Sequence, residues 1–109
     1  MMIIKENDNQ AILALKERVA ASTEVESMVL FGSVARGEAT DESDVDILIV
    51  TKKPISYDEE NAIYDTVFEV NMENDANISV VVMPKEKWES PLWSLLPLHQ
   101  AIVKEGIAL

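Results

Sequence analysis

At 109 residues, with hydrophobic side chains at 48%, the chain has room for one domain and one core but none for a second domain to hold a substrate. Twenty acids against nine bases give a formal net charge of −11. Such a surface repels nucleic acid, and no basic run exceeds Lys52-Lys53, so direct nucleic-acid binding is excluded from the expectations. The same charge leaves room for a basic protein partner, whose association would be salt-sensitive. Cysteine is absent, which is compatible with a reducing compartment without proving it. The segment Met1 to Asp8 turns charged too soon for a signal peptide, and no apolar run approaches a membrane span. A cytoplasmic protein without membrane contact is the expectation.

In chain order, Asn9 to Ser22 places Ile12, Leu15 and Val19 at near-helical spacing and predicts an amphipathic helix, with Asp8 as its N-cap. Val25 to Phe31 reads as a short central strand ended by Gly32. Glu38 to Ser43 is a polar loop, and Asp44 to Val50 a second strand whose continuous apolar run suits a sheet covered by helices. Lys52-Lys53-Pro54 stops it. Tyr57 to Glu73 returns to helix period, its acids forming a solvated face. Ile78 to Met83 is a β-branched strand ended by Pro84, and Lys85 to Glu89 a helical turn. From Leu92 a last helical region runs to Gly106, with Pro97 marking either a kink or its true start. The architecture expected is one α/β domain, in the α+β sense, over residues 1–109, with a small mixed sheet of three or four strands backed by helices.

Two features carry chemistry. Gly32-Ser33 closes one apolar run, and after ten intervening residues Asp44-Val45-Asp46 opens the next. Carboxylates two apart on a strand leave the same face, while Val45 and Ile47 point the other way. A pair so placed can bridge two magnesium ions roughly 3.5–4 Å apart, one activating a hydroxyl and one gripping a triphosphate. Gly32 lets backbone amides approach phosphate, Ser33 can donate its hydroxyl, and Arg36 can pair with a phosphate or with a carboxylate of the site. His99 reads as a structural or surface residue, and Trp88 and Trp93 as core-closing residues or an aromatic patch. Leu92, Trp93, Leu95, Leu96 and Leu98 form the best candidate for a dimer or hetero-complex surface.

The string Gly32-Ser33-Val34-Ala35-Arg36-Gly37 through Ser43-Asp44-Val45-Asp46-Ile47 resembles the minimal nucleotidyltransferases of the polymerase-beta-like superfamily. Members of that branch are commonly antitoxins encoded beside a HEPN-domain ribonuclease toxin. The resemblance implies a nucleotidyltransferase-like fold, with Mg²⁺ as cofactor and ATP as substrate. It also implies transfer of a nucleoside monophosphate, AMP from ATP, to a hydroxyl of the HEPN toxin. By the same resemblance Asp44 and Asp46 are the catalytic, metal-binding carboxylates, Gly32 and Ser33 bind phosphate, and a third carboxylate belongs on the following strand. Ser79 stands there, and serine is a poor metal ligand and no base at neutral pH. Either Asp75 or a partner's acid compensates, or this copy is slow or inactive. Two alternatives therefore stay open: neutralisation of the toxin by binding alone, and a small transferase subunit acting on a small molecule. Assembly into a homo-oligomer is open as well.

Overall fold

The computed structural model describes residues 4–40 and 43–109. Helix α1 (Glu6–Ser22) leads into strand β1 (Val25–Phe31), a short helix α2 (Gly32–Arg36) and strand β2 (Val45–Thr51). Helix α3 (Tyr57–Asn74) then crosses to strand β3 (Ile78–Pro84), and three short helices, α4 (Lys85–Trp88), α5 (Pro91–Ser94) and α6 (Pro97–Glu105), precede strand β4 (Ile107–Ala108). The expected mixed sheet is there, four strands in the order β3-β2-β1-β4. β1 runs antiparallel to both β2 and β4, whereas β2 and β3 are parallel because α3 carries the chain back over the sheet.

Strand alternation sorts the apolar residues onto two faces. Met28, Leu30, Val45, Ile47, Ile49 and Ile78 face α1 and α3, meeting Ile12, Leu15, Val19, Ile63, Val67 and Val70. Leu48, Val50 and Met83 look the other way, onto Ile102 of α6 and the partly buried Trp88 and Trp93. Both faces of β2 are thus covered, which is why Ile47 to Val50 is apolar without alternation. Each fully buried aliphatic side chain there stabilises the fold by roughly 1.5–3 kcal/mol.

Several local expectations are corrected. α1 begins at Glu6 after Lys5 in extended conformation, so Asp8 lies in the first helical turn rather than at the N-cap. Glu6 and Asp8 there meet the positive end of the helix dipole, a placement that suits acids as well as a cap does. β2 begins at Val45, leaving Asp44 just before the strand. The last helical region is two helices, each with proline in its first turn, so Pro97 is a start and not a kink. β4 was not expected: two residues after Gly106 pair with Val29 and Leu30, too short a segment to show periodicity. Residues 41 and 42 of the expected polar loop lie outside the described residues.

The two tryptophans close the second core, and the His99 ring stacks on Trp88 with centroids 4.1 Å apart. Leu92, Leu95, Leu96 and Leu98 remain exposed.

Candidate active site

The corner between β1 and α2 is built around a glycine in the left-handed conformation. Phe31 pairs with Asp46 across the sheet, so the residue that follows Phe31 meets the Asp46 side chain. Gly32 turns there with φ +79°, and a Cβ on it would overlap Asp46 Oδ2 and lie 3.2 Å from the carboxyl carbon. Both the conformation and the space therefore demand glycine. The chain winds at once into α2, whose N-cap residue, Phe31, has no side-chain acceptor to offer the first-turn amides of Gly32, Ser33 and Val34. The turn ends with Gly37 at φ +74°. Glu38 N–H donates to the Ser33 carbonyl at 2.9 Å and Gly37 N–H to that of Val34 at 3.2 Å, which closes the helix in a Schellman motif.

β2 carries the carboxylates. Asp46 follows buried Val45 and is itself only part-exposed, so it stands on the α6 side of the sheet with Leu48 and Val50. Asp44 is exposed at the strand's mouth, and its Oδ1 accepts a hydrogen bond from the side-chain amide of Asn77. The backbone repeats that link, Val45 N–H donating to the Asn77 carbonyl at 2.9 Å. Burial, and then the neighbouring charge of Asp44, push the Asp46 carboxyl above its ordinary pKa, with Arg36 pulling the other way.

Ser79 is the direct neighbour of Asp46 in the parallel β2–β3 register and is exposed. Asp75 is not on that strand. It caps α3 in the left-handed conformation, φ 49°, and its carbonyl accepts from the Asn7 amide at 2.7 Å. The expectation that Asp75 stands in for a third acid therefore has no geometry behind it, since the Val45–Thr51 pairing with β3 runs without a bulge. Arg36 stands at the end of α2. Its guanidinium pairs with Glu38 at 3.1 Å and Glu105 at 3.3 Å, tying α2 to the end of α6 while its charge still reaches Asp46. Asn77 is the residue sequence reading passed over; its place two before Ser79, on the same strand parity, is the signal that would have found it.

Among the described residues no group of three His, Cys, Asp or Glu side chains comes together. The oxygen donors present are the carboxylates of Asp44 and Asp46, with the Ser79 hydroxyl beside the second. Such a set suits a hard cation that brings most of its ligands with it as water and phosphate oxygens. It does not suit a closed all-protein cage. No helix among the described residues is long and apolar enough to cross a membrane.

The nucleotidyltransferase domain family matches residues 9–109. The chain belongs to that family. Two Methanocaldococcus jannaschii proteins assigned as protein adenylyltransferases are similar to this nucleotidyltransferase. MJ0604 is 31% identical over 78% of the chain and 78% of its own length. MJ0141 is 32% identical over 76% of the chain and 78% of its own length. Among solved structures, a toxin–antitoxin complex with AMP-PNP superimposes with a TM-score of 0.60 at 20% identity, over 94% of this chain and 71% of that one. A Shewanella oneidensis complex of tri-AMPylated HEPN toxin with its MNT antitoxin gives 0.53 at 18%, over 94% and 67%. These structural likenesses establish the nucleotidyltransferase fold, as the topology expected from the sequence requires.

Proposed function

We propose that this nucleotidyltransferase moves AMP from ATP to a hydroxyl of a partner protein, and that the partner is a HEPN-type toxin which it thereby silences. The observation that carries the reading is the corner itself, Gly32 pressed against Asp46 with the first-turn amides of α2 beside it. The relatives assigned as protein adenylyltransferases and the fold shared with the AMPylated toxin complex support the choice of acceptor.

In this reading the amides of Gly32 and Ser33 and the Ser33 hydroxyl would hold the triphosphate, and Asp44 and Asp46 would hold Mg²⁺ with it. The bound cation would supply charge neutralisation at the phosphates and a lowered pKa for the attacking hydroxyl. The acceptor oxygen attacks the α-phosphorus, the bond from that phosphorus to the bridging oxygen breaks, and pyrophosphate leaves with the electron pair. Asn77 holds one oxygen of Asp44 and so orients the carboxylate. Ser79 cannot take the hydroxyl's proton at neutral pH, so that proton goes to a base on the acceptor's side or to solvent.

Incubation with α-labelled ATP, Mg²⁺ and the cognate toxin should label the toxin, and Asp44→Asn with Asp46→Asn should abolish the label. An unlabelled toxin after incubation with intact protein overturns the transferase reading. The in-register Ser79 favours one second reading, masking of the toxin by binding alone. Retention of toxin inhibition by the double variant would select it.

A further inference from the structure

Helix α3 has a second face that its own fold leaves uncovered. Ile63, Val67 and Val70 are its buried side, yet Tyr57, Tyr64, Phe68 and Met72 are 78%, 42%, 67% and 70% exposed. Their spacing of seven, four and four residues places them in one line along the helix, about 22 Å from end to end. A continuous row of large apolar groups on a surface marks an interaction site, where scattered ones would not.

The charge around the row states what kind of partner fits. Between residues 57 and 74 the helix carries Asp58, Glu59, Glu60, Asp65, Glu69 and Glu73 and no lysine or arginine. Glu73 lies in the last turn, against the helix dipole, where α3 has no basic residue. Arg18 offsets part of this by pairing with Glu73 at 2.6 Å. Asp65, Glu69 and Glu73 follow one another at four-residue spacing, a like-charge row that costs the isolated helix stability. A cationic neighbour would turn that cost into attraction. Nucleic acid and anionic membrane share the helix's sign of charge, and a second copy would set six acids against six.

We infer that the outer face of α3 docks a basic amphipathic helix of another protein, with apolar side chains at helical spacing seated on Tyr64, Phe68 and Met72 and flanking lysines or arginines meeting the acids. The inference does not depend on the transferase reading, because this row is separate from the nucleotide corner. The probe is a designed eighteen-residue helical peptide with leucine along one face and lysine on both flanks, titrated calorimetrically into the nucleotide-free full chain. Expected are saturable one-to-one binding that weakens with salt, and at least about a tenfold loss on Phe68→Ser. Met72→Gln should weaken binding in the same sense. A scrambled peptide of equal charge should bind about tenfold more weakly, the apolar register being lost. Asp44→Asn with Asp46→Asn should leave the affinity unchanged, so failure of transfer and failure of docking are told apart. Absence of saturation, equal binding of the scrambled peptide, unaltered affinity in variants that melt like the parent, or a dimer that Phe68→Ser dissociates would each overturn the assignment.

Discussion

Gly32 and Asp46 decide each other's form: the carboxylate occupies the space a side chain at 32 would need, and the positive φ of Gly32 admits the carboxylate. The protein accepts a destabilised acid at that point. Burial and Asp44 raise the pKa of Asp46, so the folded chain binds its proton more tightly than the unfolded chain does. Stability from this group is therefore fully present below the ordinary aspartate pKa and falls as pH rises through the folded value. At neutral pH the ionised group is a standing cost. Asp46→Asn should accordingly raise the melting temperature of the nucleotide-free protein at pH 7. The gap between variant and parent should close as pH falls below about 4, where the parent's Asp46 is protonated in both states. A variant that melts lower than the parent at pH 7, by scanning calorimetry, would contradict the cost that burial and the neighbouring Asp44 place on this group.

Among elements, β3 depends on α3 for its position. The Asn71 side chain accepts from Ile78 N–H at 2.8 Å and donates to the Ile78 carbonyl at 3.0 Å, so one amide stands in for a strand partner at the edge of the sheet. That clamp sets where β3 begins, and hence that Asn77 and Ser79 lie beside Asp44 and Asp46. Asn71→Leu keeps the branched shape and removes both bonds, leaving two part-buried backbone groups without their partners. It should cost about 1–3 kcal/mol in urea denaturation. The start of α3 is held by a different device, a capping box in which Ser56 and Glu59 exchange bonds at 3.1 and 3.3 Å.

For the whole molecule, the charge of −11 is a field rather than a set of pairs. The ion pairs present, such as Lys85 with Glu26 at 3.3 Å, are exposed and contribute little each. Self-repulsion across the surface is the larger effect, and it is screened over a Debye length of about 8 Å at physiological ionic strength. Adding sodium chloride from low salt to that strength should therefore raise the melting temperature. A flat or falling curve would mean that local pairs outweigh the field.

How much of this was legible beforehand follows from the range of each interaction. β1, β2 and β3 were read from local periodicity, because residues covered on both faces or on one announce it in a few positions. β4 was not, since two residues gain strand geometry only by pairing with Val29 and Leu30. The start of α1 was misplaced at Asp8 because capping preference is a weak local signal beside the packing of Leu15 and Val19. The Arg36 pairs are not legible locally either, because Glu105 is brought up only by the last helix.

The mixed α/β architecture and the two ends of the motif, Gly32-Ser33 and Asp44-Val45-Asp46, follow from the residues alone, since both rest on backbone preferences and alternation along a few positions. That Gly32 touches Asp46 and that Asn77 holds Asp44 emerges only when the strands are assembled, which also bears out Ser79 as the residue in register beside the pair. Those are contacts between strands, and a strand's neighbours are chosen by the packing of the whole sheet rather than by its own residues.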